Sequence, residues 1–166
     1  MGTDTSEDAY ITSLIAVART ACEERLERTL VSTPWLLTLD ALPPAVELRM
    51  APIIAVQSVQ FRQASDGAWV TLSPADYVVD TVSEPGFVVP APLTQWPDVY
   101  PGINHVRVAY TAGYGATAAD VPAPIRHWIL LALTDLFEQR TRSADKPAVP
   151  QVFADGLLDT YRMWGL

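Results

Sequence analysis

The chain has 166 residues, the size of one ordinary domain with room for a sizeable core, and it is 49% hydrophobic but only 18% charged. Its 19 acids against 11 basic residues leave a net charge of -8, which argues against electrostatically driven binding to nucleic acid or an anionic membrane, because neutralising phosphates needs clustered Lys and Arg. One cysteine, Cys22, excludes an internal disulfide, and no apolar run approaches the roughly 20 residues of a membrane span.

The opening MGTDTSEDAY has no basic region followed by an apolar run, so the expectation is a soluble protein made in the cytoplasm. A first helix is predicted over 6–31, capped by Thr5 or Ser6, with Glu7 and Asp8 at the positive end of its dipole. Ile11, Leu14, Ile15, Ala18, Cys22, Leu26 and Leu30 follow helical spacing, which makes Cys22 a core residue rather than a reactive thiol. Arg19, Glu23, Glu24, Glu27 and Arg28 fall off that stripe as a solvated face, with Glu24 four residues before Arg28 for helical support. Pro34 is expected to end the helix.

From there to Ala112 the pattern is short β-like runs punctuated by Pro, Gly, Asp and Ser, and a β-rich region is predicted over 35–112 as an antiparallel sheet or meander. Strands are placed at 35–40, 46–50, 56–63, 68–72, 77–80, 86–89 and 104–112, with a hairpin tip at Ser65, Asp66 and Gly67. Many of the 14 prolines fall between these runs and stiffen the loops. Val106, Val108 and Tyr110 share one face of the last strand, and Pro122 and Pro124 open a core helix over 122–141 whose apolar residues occupy more than one face. That surplus suits burial against two neighbours, which singles out Trp128 and Leu131. After a polar connection at 141–150, a final helix is predicted over 151–164, weakened at Gly156. The fold class is therefore α+β: a single domain over 1–166, with a small bundle of a long N-terminal and two C-terminal helices around an intervening antiparallel sheet.

Residue chemistry names no reaction. There is no nucleophile elbow and no Walker loop, and Gly113-Tyr114-Gly115 lacks the third glycine of a dinucleotide loop and reads as a turn. Cys22, His105 and His127 are too dispersed for a zinc site, and Asp76 with Asp80 form an acid-base pair only if the fold brings them to one cleft. No catalytic residue, cofactor or metal is expected. Of the five tryptophans, Trp96 on a proline-rich loop and Trp164 at the chain end are candidates for a protein interface, where such rings are enriched.

The succession EDAYITSLIAVARTACEERLERTL, TPWLLTLD, MAPIIAVQSVQF, DGAWVTL, DYVVD, QWPDV, VRVAYTAGYG, DVPAPIRHWILLALTDLFEQR and LLDTYRMW resembles the head-tail connector (adaptor, or head-completion) proteins of long-tailed phages, prophages and gene transfer agents. The resemblance runs from Glu7 onward and lies in the order of segments rather than in any one motif; family members often carry an extra helical segment where only MGTDTS stands here. It implies a structural virion protein at the neck. Its partners would be copies of itself in a ring, usually of twelve, the portal protein above and a tail terminator or stopper below, with DNA passing through the channel without specific binding and no membrane contact. The family's C-terminal helix often meets the portal, which makes Leu157, Leu158, Tyr161 and Trp164 candidate docking residues beside Trp96. Another neck component such as a tail terminator is the alternative, ahead of a small hydrolase or a monomeric binding domain.

Overall fold

A computed structural model describes residues 5–141 and 155–163. The described residues include the helices α1 (Thr5–Leu26) and α2 (Ala123–Thr141) and the strands β1 (Thr33–Leu39), β2 (Val46–Leu48), β3 (Ile53–Phe61), β4 (Val70–Thr71), β5 (Tyr77–Asp80), β6 (Gly86–Pro90) and β7 (Val106–Ala112). The fold is α+β with antiparallel pairing, and every strand expected from the sequence has a counterpart. The chain divides into two compact units, a helical one formed by residues 1–27 and 121–166 and a β unit spanning 28–120.

The strands do not follow one another as a meander. One sheet has the order β1-β7-β3-β4 and the other β2-β6-β5. Strand β7 is central to the larger sheet because its residues alternate strictly, with Val106, Val108, Tyr110 and Ala112 buried and Arg107, Ala109 and Thr111 on the other face. It therefore presents two ladders, an unbroken one to β1 and a bulged one to β3. Strand β3 brings Ile53, Val59 and Phe61 inward by means of two register shifts, at Ile54 and Gln57, each absorbing one extra residue, while Ile54 faces outward at 47% exposed. The expected hairpin tip does join β3 to β4.

Val59, Phe61, Val106, Val108, Tyr110 and Ala112 of the larger sheet meet Val46, Leu48, Tyr77 and Val88 of the smaller in one hydrophobic cluster. The β unit is thus a two-layer sandwich whose inner faces form its core, with Trp35, Leu37 and Trp96 packed at the margin. Tyr110 reaches through this core to donate its hydroxyl to the Arg49 carbonyl at 2.8 Å, so its polar end is satisfied.

Two helical expectations need correction. Helix α1 stops at Leu26, not near 31, because Glu27 takes a left-handed conformation (φ 54) that no α-helix continues. Arg28 and Thr29 have then already left for the β unit, where the Thr29 amide donates to the Ala51 carbonyl at 3.1 Å. At the other end, residues 151–154 and 164 lie outside the described part of the predicted helix over 151–164. Within 155–163 only Asp155 and Gly156 are α-helical, followed by a turn and a 3-10 turn at Asp159–Tyr161, so no continuous helix spans these residues. Gly156 in the middle is the residue that weakens such a helix.

Gly113 ends β7 at φ +136, and a Cβ there would lie 2.6 Å from the Ser32 nitrogen. Its amide meanwhile donates to the Pro52 carbonyl at 2.9 Å, so this backbone cannot shift freely. Gly113→Ala is expected to destabilise the protein by at least about 2 kcal/mol, read as a lowered midpoint in urea with an unchanged slope.

Candidate functional site

The groups that would carry catalysis are not gathered. His105 donates from Nδ1 to the Tyr100 carbonyl at 2.9 Å and its ring packs near that of Tyr100, while His127 is an exposed residue of α2. The Asp80 carboxylate caps its own turn, accepting from the Val82 and Ser83 amides at 2.8 and 3.0 Å. These bonds, led by those from Ser83, hold it below its ordinary value. Asp76 uses its backbone to receive Ala91 and does not join it. Gly113, Tyr114 and Gly115 form a bend held by backbone bonds to Pro52, Leu30 and Ser32, with the Asp120 side chain against Gly115. Cys22 is fully buried on the α1 stripe, and burial, with Glu23 adding, pushes its thiol up to about 12. No cluster of three or more His, Cys, Asp or Glu among the described residues could hold a metal. No described helix is long and apolar enough to cross a membrane.

Arg28 is the residue sequence reasoning misplaced. It was expected on the solvated face of α1, supported by Glu24; it lies past the helix end, in the β unit, with its side chain 7% exposed. There it donates from Nη1 to Glu84 Oε1 at 2.7 Å and from Nη2 to Glu84 Oε2, a bidentate pair across 56 residues of sequence. Burial opposes the guanidinium charge, but the bond to Glu84, with Tyr114 adding, raises its pKa overall. The same bonds hold the Glu84 carboxyl below its ordinary 4.5 against the opposing effect of partial burial. No local signal marks this partner, because the pairing follows only from the path of the sandwich. The helical i,i+4 pair that does form is Arg19 with Glu23 at 3.2 Å.

The five interface candidates divide between the two units. Trp96 is half-buried in the β unit, its ring against the core cluster and its Nε1 donating to the Pro43 carbonyl at 2.7 Å. Its indole N-H is therefore already used within the chain. In the helical unit Leu158 is buried, whereas Leu157 and Tyr161 are half-exposed, and Trp164 lies outside the described residues. Asp155 pins this segment through an ion pair to Arg25 at 2.9 Å. On α2, Ile125 and Trp128 are buried and Leu131 is half-buried, while Leu130 is 58% exposed. Ile11, Leu133, Thr134 and Phe137 line a shallow apolar depression of about 290 Å³. The β unit holds Val82, Leu93 and Ile103 on its loops, 90%, 107% and 77% exposed.

No protein-family model matches the chain, and no curated protein matches its sequence. Solved structures do share its fold. A chain from the neck of an empty gene transfer agent particle, computed with C6 symmetry, matches at TM-score 0.78 and 23% identity, over 100% of this chain and 85% of that one. A chain of the virion of a native gene transfer agent particle matches at 0.77 and 20%, over 100% and 81%. A third, from the neck of a native particle computed with C12 symmetry, matches at 0.77 and 21%, over 95% and 84%.

Two outcomes follow from the buried groups. Glu84→Ala leaves the Arg28 charge buried without its carboxylate, and because Glu84 itself is 39% exposed the expected loss is about 2 kcal/mol by chemical denaturation, below that of a fully buried pair. Since the folded pKa of Glu84 is lowered, its contribution is complete above its ordinary 4.5 and disappears as pH falls through the lower folded value. The difference between wild type and Glu84→Gln should accordingly shrink in that acid range. Cys22 should react with an aromatic disulfide reagent at least about a hundredfold more slowly in the native protein than in denaturant, measured by absorbance of the released thiolate.

Proposed function

We propose that this chain is a structural protein of the neck of a phage-like particle, acting without catalysis as a head-tail adaptor. The observation that carries the reading is the match over 100% of the chain to a gene transfer agent neck protein at TM-score 0.78, which covers both the helical and the β unit. Structural neighbours solved with C6 and C12 symmetry support a ring, and twelve copies between portal and tail is the arrangement proposed here. Closing a ring requires two unlike, complementary patches on each copy. The water-exposed Val82, Leu93, Ile103 and Leu130 supply apolar surface for such contacts, and the half-exposed Leu157 and Tyr161 are the residues assigned to the portal. Leu158, being buried, would support that segment from beneath.

The net charge of -8 suits a channel through which DNA slides without adhering, since like charge disfavours contact with phosphate. Mixing the purified chain with the portal protein encoded beside it should give a complex of about twelve 18.1 kDa copies per portal ring by mass photometry. A chain that stays monomeric and ignores the portal overturns the reading. A six-copy ring that binds tail-tube protein instead would establish the tail-terminator alternative. Duplex DNA added at physiological salt should not bind, as followed by fluorescence anisotropy.

A further inference from the structure

Copies that each carry a charge of -8 repel one another, so a ring of them needs at least one face where positive meets negative. Four of the described arginines already have a carboxylate partner in the same chain. Arg19, Arg25, Arg28 and Arg49 are held by Glu23, Asp155, Glu84 and Glu47 of the same chain. Arg62 and Arg107 have no carboxylate partner among the described residues. They converge on Trp69, with guanidinium carbons 4.6 and 4.0 Å from its ring centroid. The stacking fixes two long cationic side chains in place, and so lowers the entropy lost when they bind.

Their setting adds to this. Arg107 belongs to the outward face of β7, and Arg62 follows β3 with its amide bonded to the His105 carbonyl at 3.0 Å. The four strands of this sheet contain no Asp or Glu, although the chain has 19 of them. Around the arginines the outer face carries neutral groups, including Gln60 bonded to Thr71 and the 59% exposed Leu36. On the opposite face of the sandwich, strands β2 and β5 turn Glu47, Val78 and Asp80 outward. Val78 is 47% exposed, and Arg49 lies 3.5 Å from Glu47. The β unit therefore bears two unlike outer faces, one whose strands hold two stacked arginines and no acid, and one carrying Glu47, beside Arg49, and Asp80 with an exposed valine.

We infer that the outer face of the β1-β7-β3-β4 sheet, centred on Arg62, Trp69 and Arg107, is a docking surface for a carboxylate-bearing face of a second copy of this chain, its next neighbour in the ring. This rests on the ring reading above. The contact is heterologous: one copy gives its arginine face and the next an acidic face, so that the repeated rotation closes. The charges set register and encounter rate, while Leu36 and the Trp69 edge supply the dry contact.

The test uses the chain's near absence of amines, since Lys146 is its only lysine. Arg107→Lys keeps the charge and places the chain's second lysine, with its amine, on this face. The assembled full-length variant, made from equal parts of nitrogen-15 and unlabelled protein with the portal present, is treated with a carbodiimide that joins amines to carboxylates in direct contact. Mass spectrometry is expected to find mixed-isotope links from position 107 to an Asp or Glu of another copy. In parallel, Arg62→Glu with Arg107→Glu should lower the assembled fraction at least tenfold while the melting temperature of the monomer is retained. Arg126→Glu on α2 should leave assembly unchanged. A ring that forms without links from position 107, links only to portal carboxylates, or an arginine-dependent gain in DNA binding would each overturn this surface assignment and leave the ring standing. Absence of any ring overturns both.

Discussion

The β unit depends on the central position of β7. A strand flanked on both sides must satisfy two hydrogen-bonded ladders at once, and its side chains must obey the inward and outward alternation set by both partners. The four fully inward residues from Val106 to Ala112 meet that requirement without a break, and β1 pairs along the whole of β7 without a register shift. Strand β3 cannot do the same, and its two bulges reconcile a nine-residue strand with a seven-residue partner. Once β7 is fixed, the inner face it shares with β1 and β3 has one place to go, onto the small sheet, and the core follows.

Much of this was legible locally and the rest was not, for a physical reason that individual residues illustrate. Alternation of period two lies within each segment, so all seven strands were recognisable, as were the hairpin at Gly67 and the buried place of Cys22 on α1. Which strand lies beside which is a matter of long-range closure, and nothing near Thr33 announces that its partner is Ala112. Arg28 shows the same limit with a charge: its neighbours in sequence suggest a helix surface, while its true partner is Glu84 on a distant turn. Trp96 is the converse case. Its proline-rich loop suggested exposure, yet the indole is anchored on Pro43, which only the folded loop brings near. The sites assigned to partners are less legible still, because an interface residue of a monomer differs from a surface residue only by what later covers it.

The match to chains of gene transfer agent particles at 20 to 23% identity shows how little of a sequence a fold requires. Apolar residues of about the right volume at the right period specify these elements, and the remaining positions are free to vary. The surfaces that such freedom leaves are unlike on the two outer sides of the sandwich, and a fold held in common does not by itself fix what they do.

The short outer strands have a consequence for how large an assembly can become. Exposed sheet edges invite pairing without end, since each added backbone presents the next template. Here the edges are β4 with two residues, β2 with three, β5 with four, and β1 with a proline at Pro34. Backbone pairing between copies therefore has little length on which to start. Any contact between copies is thereby left to side-chain surfaces, which can meet at a fixed angle, so the same economy of strand length that protects the chain from fibres favours contacts that close over contacts that run on.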